Sequence, residues 1–191
     1  MAKLRRIIIK IASNLLPFKI AVRLSQFFLV SQGIGFAIEV QDSGEIKSLK
    51  KIIKKQNPII FDVGGNVGNF SIEVMKRFPQ AKIHVFEPSI EHFSILANNL
   101  EKFGTSCVLN NFGLSEKSEH KFLNKDSAIT GSATLCDNDN LDGYEISENV
   151  KLIGGFDYMK KNGVERIDYL KIDVEGWELP VLRGFQEAIN D

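Results

Sequence analysis

Two hydrophobic periods alternate along residues 59–184. Short, largely apolar runs at 59–63, 82–86, 106–109 and 150–153, and a longer one opening at 167, read as strands, the first of them buried on both faces. Between them the apolar positions recur every three to four residues, the spacing of one helical face. Ile72, Val74, Met75 and Phe78 form such a stripe before Pro79 ends it. Phe93, Leu96, Ala97, Leu100 and Phe103 form another, entered through Ser89 as N-cap and left through Gly104 as C-cap. His92 falls off that stripe and is expected to be exposed, whereas His84 falls inside a strand and is expected to be packed and hydrogen-bonded. Shorter helices are predicted at 46–55, at 157–161 and from Trp177 to Arg183, closed by Gly184. Strands alternating with helices in this way predict an α/β fold, a mainly parallel sheet with helices on both faces.

Two regions break the alternation. Residues 116–149 are rich in Ser, Asn and Asp, with brief apolar runs such as Phe122-Leu123 and Ala133-Thr134-Leu135. They are expected to form a hairpin and a long loop over the upper edge of the sheet, either a substrate wall or a surface excursion. Residues 1–40 form a separate basic amphipathic helical segment. Leu4, Ile7, Ile8, Ile11 and Leu15 share one face, Pro17 interrupts, and a second apolar stretch runs to Val30. Neither piece reaches the uncharged length of a spanning helix. Two readings stand: a helix pair packed on the domain, or peripheral contact of residues 1–30 with an anionic membrane.

Charge sharpens that division. The chain of 191 residues carries 24 bases and 24 acids, yet residues 1–38 hold six bases and no acid. The remainder is acidic, which disfavours general nucleic-acid binding, since that affinity comes largely from phosphate neutralisation. Cys107 and Cys136 lack metal-ligand spacing and read as reduced thiols of a cytoplasmic protein. Residues 41–191 suffice for one hydrophobic core.

The candidate chemistry sits where the predicted strands end. The first runs into Asp62 and the turn Gly64-Gly65-Asn66-Val67-Gly68, whose glycines let the backbone turn sharply and approach a ligand. The second ends on Glu87, about 20 residues past the glycines, where a carboxylate can accept both hydrogens of a ribose diol. Asn110 and Asn111 follow the third. The run beginning at Ile167 closes on Asp173-Val174-Glu175-Gly176, and alternation along an extended segment would point both acids the same way. Two carboxylates there need a cationic partner, a metal or solvent. Glycine turn and ribose acid alone suit a nicotinamide oxidoreductase as well as other nucleotide enzymes.

Phe61-Asp62-Val63-Gly64-Gly65-Asn66-Val67-Gly68, Val85-Phe86-Glu87-Pro88 and Leu170-Lys171-Ile172-Asp173-Val174-Glu175-Gly176 together resemble the FkbM family of S-adenosylmethionine-dependent methyltransferases. Asn111-Phe112-Gly113-Leu114-Ser115 is similar to the family's segment after the third strand, and Gly65 stands where alanine is commoner. The resemblance implies a class I methyltransferase sheet of Rossmann-like form, methyl transfer from S-adenosylmethionine, and a sugar or natural-product hydroxyl as acceptor. It implies that Asp62, Gly64, Gly65, Asn66 and Gly68 hold the methionine end of the cofactor. Glu87 would take the ribose, Asn111 would lie near the adenine and Asp173 near the sulfonium, while Glu175 is the candidate for orienting or deprotonating the acceptor. No metal is called for. The family's fold continues past the helix at which this chain stops, so a fragment, or a domain completed by another chain, is expected. That implies a fourth strand exposed as a sheet edge and prone to self-association, and it keeps a non-catalytic binding module as an alternative.

Overall fold

The computed structural model describes Ile46, Leu49 and residues 51–125, 133–136 and 146–190. The expected helices of residues 1–40 lie outside the described residues. By its contacts the chain divides into two units, Met1–Ile52 and Ile53–Asp191. In the first, Ile46, Leu49, Lys51 and Ile52 are helical, and Ile53 to Lys55 are not, so the helix expected over 46–55 stops short. Among the described residues no helix is long and apolar enough to cross a membrane.

The second unit opens with β1 (Ile59–Val63), α1 (Asn69–Arg77), β2 (Lys82–Phe86), α2 (Ile90–Leu100) and β3 (Cys107–Asn110). It continues with β4 (Gly113–Ser115), β5 (Glu119–Lys125), β6 (Ala133–Cys136), β7 (Ile146–Gly154), α3 (Gly155–Asn162), β8 (Tyr169–Ile172), α4 (Glu178–Gly184) and α5 (Gln186–Asn190). The expected α/β fold is borne out. Strands β3, β2, β1 and β8 lie side by side in that order, all parallel, so their carboxyl ends share one edge. Most positions of β1 and β2 are buried, because side chains pack on both faces of this sheet, whereas β8 is mostly half-buried. Phe61, Val63 and Phe86 meet Tyr158 and Met159 of α3, Val181 of α4 and Phe185 in one cluster. Phe61 and Phe86 set their rings edge-on to Tyr158, with centroids 5.8 and 4.7 Å away.

His84 of β2 is buried, and its Nδ1 lies 2.7 Å from the Tyr158 hydroxyl, as a packed strand histidine should be. Cys107 is a free, buried thiol that burial pushes up to about 11. Ser89 caps α2 as expected, its hydroxyl accepting from His92 N at 3.4 Å. The helix ends at Leu100 and tightens into a 3₁₀ turn through Ser106, where Gly104 takes a positive φ of 54°. Of the predicted stripe only Leu96 and Leu100 are fully buried; Phe93, Ala97 and Phe103 are half-exposed.

The departure from expectation is residues 113–154. The expected hairpin is present as β5 and β6, but with β4 and β7 it belongs to a second sheet, in the order β4, β7, β5, β6. Strands β4 and β7 pair in parallel, while β5 is antiparallel to both β7 and β6. Its small core is Leu123, Val150 and Leu152, with Leu135 and Trp177 against it. The junction with the first sheet's helices is tight. A Cβ on Gly184, at the end of α4, would lie 2.1 Å from the Ser115 carbonyl oxygen, so only glycine lets α4 lie flush on β4.

Candidate active site

Beyond Val63 the chain turns over the tip of β2. The amides of Gly64 and Gly65 both donate to the Phe86 carbonyl at 3.0 Å, and Gly68 N donates to Gly65 O at 2.8 Å. Gly64 has φ +82°, and a Cβ there would stand 1.9 Å from the Asp173 carbonyl oxygen. The glycine therefore does two things: it permits the left-handed turn, and it lets the tips of β1 and β8 close on each other. Asn66 also has a positive φ, 49°, which directs its amide onto Glu87 Oε2 at 2.8 Å.

Glu87 is 94% buried, with 6% of its surface exposed. Its two carboxylate oxygens take one backbone amide each, Oε2 from Asn66 and Oε1 from Ser89 at 2.9 Å. These bonds orient the carboxylate at the strand tip, and a carboxylate oxygen accepts from more than one donor. Asn111 braces the same turn from outside, its Nδ2 donating to the carbonyls of Glu87 at 3.0 Å and Pro88 at 3.2 Å.

Across the gap, β8 ends at Ile172, and Asp173 continues the ladder for one residue by donating its amide to Val63 O at 3.0 Å. The chain then turns. Glu175 and Gly176 take φ of 50° and 102°, and Trp177 N donates to Val174 O at 3.3 Å. The two acids therefore share a cavity because of a tight turn, and the strand alternation expected to align them stops before Glu175. Glu178 steadies that turn by accepting the Gly176 amide at 3.1 Å, and this bond holds its carboxyl below the usual range.

One cavity gathers these tips. Gly64, Asn66, Glu87 and Pro88 line it from the first two strand ends, and Asp173, Val174 and Glu175 from the fourth. Phe86, Gly113 and Leu114 form its floor, and Leu123, Leu135 and Trp177 bring an apolar wall from the second sheet and the start of α4. His92 lines it too and is half-buried, which corrects the expectation that it is exposed. The Trp177 indole is fixed by donating to Ser115 Oγ at 3.2 Å, and the Lys121 ammonium lies 5.5 Å from its ring centroid.

Four candidate residues do not line this cavity: Asn111, which braces the Glu87 turn from outside, and Asp62, Gly65 and Gly68. Asp62 is fully buried behind the turn, accepting from Ser71 Oγ at 2.8 Å, with Lys171 Nζ 3.4 Å from its other oxygen. Burial raises its pKa, opposed by the Lys171 charge and the Ser71 bond. Gly65 packs under Leu96 and Val85, and Gly68 under Leu100, so both serve helix packing. Sequence reasoning in turn missed His92 and the apolar wall. Leu123 and Leu135 carry no motif, and Trp177 registered only as a helix start. Among the described residues no three His, Cys, Asp or Glu side chains are grouped to hold a metal ion.

The family model "Methyltransferase FkbM domain" matches residues 62–191. The chain belongs to the FkbM methyltransferase family. Among curated relatives, Methyltransferase sdnD of Sordaria araneosa is 31% identical over 159 residues, covering 69% of this chain and 61% of that protein. Hexuronic acid methyltransferase AglP of Haloferax volcanii is 26% identical over 137 residues, covering 71% of this chain and 53% of that protein. A solved structure of Methyltransferase FkbM from Methylobacillus flagellatus KT matches 90% of this chain and 46% of that chain, with TM-score 0.48 and 15% identity. The FkbM-family chain described here thus spans between about half and three fifths of the length of these curated relatives.

Proposed function

We propose that this chain carries an S-adenosylmethionine-dependent methyltransferase site acting on a hydroxyl oxygen of a sugar, glycolipid or natural product. The observation that carries the reading is the convergence of Glu87 and Asp173, from the second and fourth strand tips, on one cavity whose rim is the Gly64 turn. The residues suit the cofactor. Gly64 lets the tips of β1 and β8 meet, Glu87 presents an oriented acceptor for a ribose diol, and Asp173 offers an exposed carboxylate to a cationic group. Bound there, S-adenosylmethionine would supply an electrophilic methyl group and leave as the neutral thioether.

The chain's own part is alignment and proton handling. Glu175, exposed at the cavity mouth, accepts the proton of the acceptor hydroxyl as the oxygen bonds to the methyl carbon. Leu123, Leu135 and Trp177 exclude water from one side and offer a ring-shaped acceptor an apolar face. That one relative bears the name of a hexuronic acid methyltransferase supports a sugar-like acceptor.

Calorimetric titration with S-adenosylhomocysteine and, separately, with NAD tests the reading. Heat with the former, lost in Glu87→Gln, is the expected result. Heat with NAD alone would reassign the site to nicotinamide chemistry, and heat with neither would leave a non-catalytic module.

A further inference from the structure

Lys171 is 9% exposed, in the strand that delivers Asp173 to the cavity. A lysine is rarely buried unless its ammonium is paired. Here the pairing comes from two directions. In the β1–β8 register Lys171 stands opposite Asp62, and its Nζ lies 3.4 Å from Asp62 Oδ1. Two residues on, where side chains return to the same side of an extended chain, Asp173 Oδ2 lies 3.3 Å from the same Nζ. The ring of Phe70, centroid 5.4 Å away, covers a further side of the ammonium. Asp62 is itself anchored by Ser71 of α1. A continuous polar line therefore runs from the first turn of α1 through the sheet to a carboxylate of which 65% of the side chain is exposed.

We propose that Lys171 is a positioning residue, a buried ammonium held by Asp62 that fixes the direction of the Asp173 carboxylate at the cavity mouth. The inference rests on the cofactor reading above. It gives Asp62 a different part from the one its motif implies: it is the counter-ion that keeps Lys171 charged in the sheet. Lys171 also offsets some of the charge of Asp173, which alone would weaken the hold on a cation. Because Asp173 is mostly solvated, water already screens much of that charge, and the gain from a fixed direction is the larger effect.

Removing Lys171 alone would strand a buried carboxylate, so the test removes the pair together. Asp62→Asn with Lys171→Met, in the full chain, is expected to stay folded by circular-dichroism melting. Its affinity for S-adenosylhomocysteine, read by calorimetry, is expected to fall roughly tenfold, as for loss of one charge-assisted contact. Should that pair not fold, Asp62→Asn with Lys171→Gln, two amides able to bond each other, serves the same comparison. The decisive measurement repeats the pair in an Asp173→Asn background. If Lys171 acts through Asp173, the pair causes no further loss there; a purely structural lesion would weaken binding equally in both backgrounds and overturn the proposal. A paired variant that binds like the wild type also overturns it, with the cofactor reading intact. A wild-type chain that gives no heat removes the cofactor reading, and this inference with it.

Discussion

Glu175 holds a conformation that suits glycine better than glutamate, with φ of 50° in a turn whose next residue is Gly176. The left-handed region costs an L-residue roughly 1–2 kcal/mol, partly returned because glycine loses more entropy on folding. Glu175→Gly is therefore expected to raise stability by about 0.5–1 kcal/mol in urea unfolding while lowering kcat of methyl transfer about 100-fold. Glu175→Ala is expected to lose the same activity with no gain in stability, since alanine gains nothing there. Equal stability of the two variants would show that the turn is not strained. Gly64 is the opposite case. Its Cβ would collide with the Asp173 carbonyl, and backbone cannot swing aside. Gly64→Ala is expected to cost on the order of 3 kcal/mol and to abolish S-adenosylhomocysteine binding. The Gly64 turn was legible because a positive φ and a close approach leave a signature, glycine or asparagine in a short run. Asp62 stands in the same motif, and its carboxylate lies in the sheet's interior beside Lys171.

At the scale of elements, the parallel sheet could be read from the chain, and of the second sheet only the hairpin and the run at 150–153. The strands β1 and β2 are largely apolar because side chains pack on both faces, so their pattern is local. The strands β5 and β7 each have one solvated side, and polar positions such as His120 and Asn149 mimic a loop. Strand β4 has three residues and exists because Gly113–Ser115 finds Leu152–Gly154, nearly forty positions away. No local pattern encodes such a pairing, and with it went Leu123 and Leu135 of the cavity wall. The same junction makes a test. Gly184→Ala would push a methyl against the Ser115 carbonyl at 2.1 Å and crowd Gly155 N at 3.0 Å, prising α4 from β4. A loss of about 2–3 kcal/mol in urea unfolding is expected, as for an overpacked interior. A loss near zero would mean that α4 does not depend on that contact.

Across the whole molecule, one buried titratable contact joins three elements: His84 of β2, Tyr158 of α3 and the ring of Phe61 in β1. Burial, with a smaller push from Lys82, lowers the His84 pKa from 6.5 to about 4. In the unfolded chain the imidazole protonates near its ordinary value; in the fold it stays neutral until about pH 4. Its contribution is thus fully present above pH 6.5 and is lost as pH falls between those values, up to about 3 kcal/mol. The paired carboxylates Glu73, Asp168 and Glu178 have lowered pKa values, so what they contribute disappears mainly below pH 4.5. Asp62 runs the other way, because a raised carboxyl pKa favours the fold as pH falls. The histidine is therefore isolated by difference. Urea unfolding at pH 7 and pH 4.5 is expected to show the wild type losing about 2–3 kcal/mol more than His84→Gln, whose amide can still meet the Tyr158 hydroxyl but cannot titrate. Matching losses in the two proteins would mean that the imidazole takes up its proton without disturbing the core, and that acid unfolding begins elsewhere.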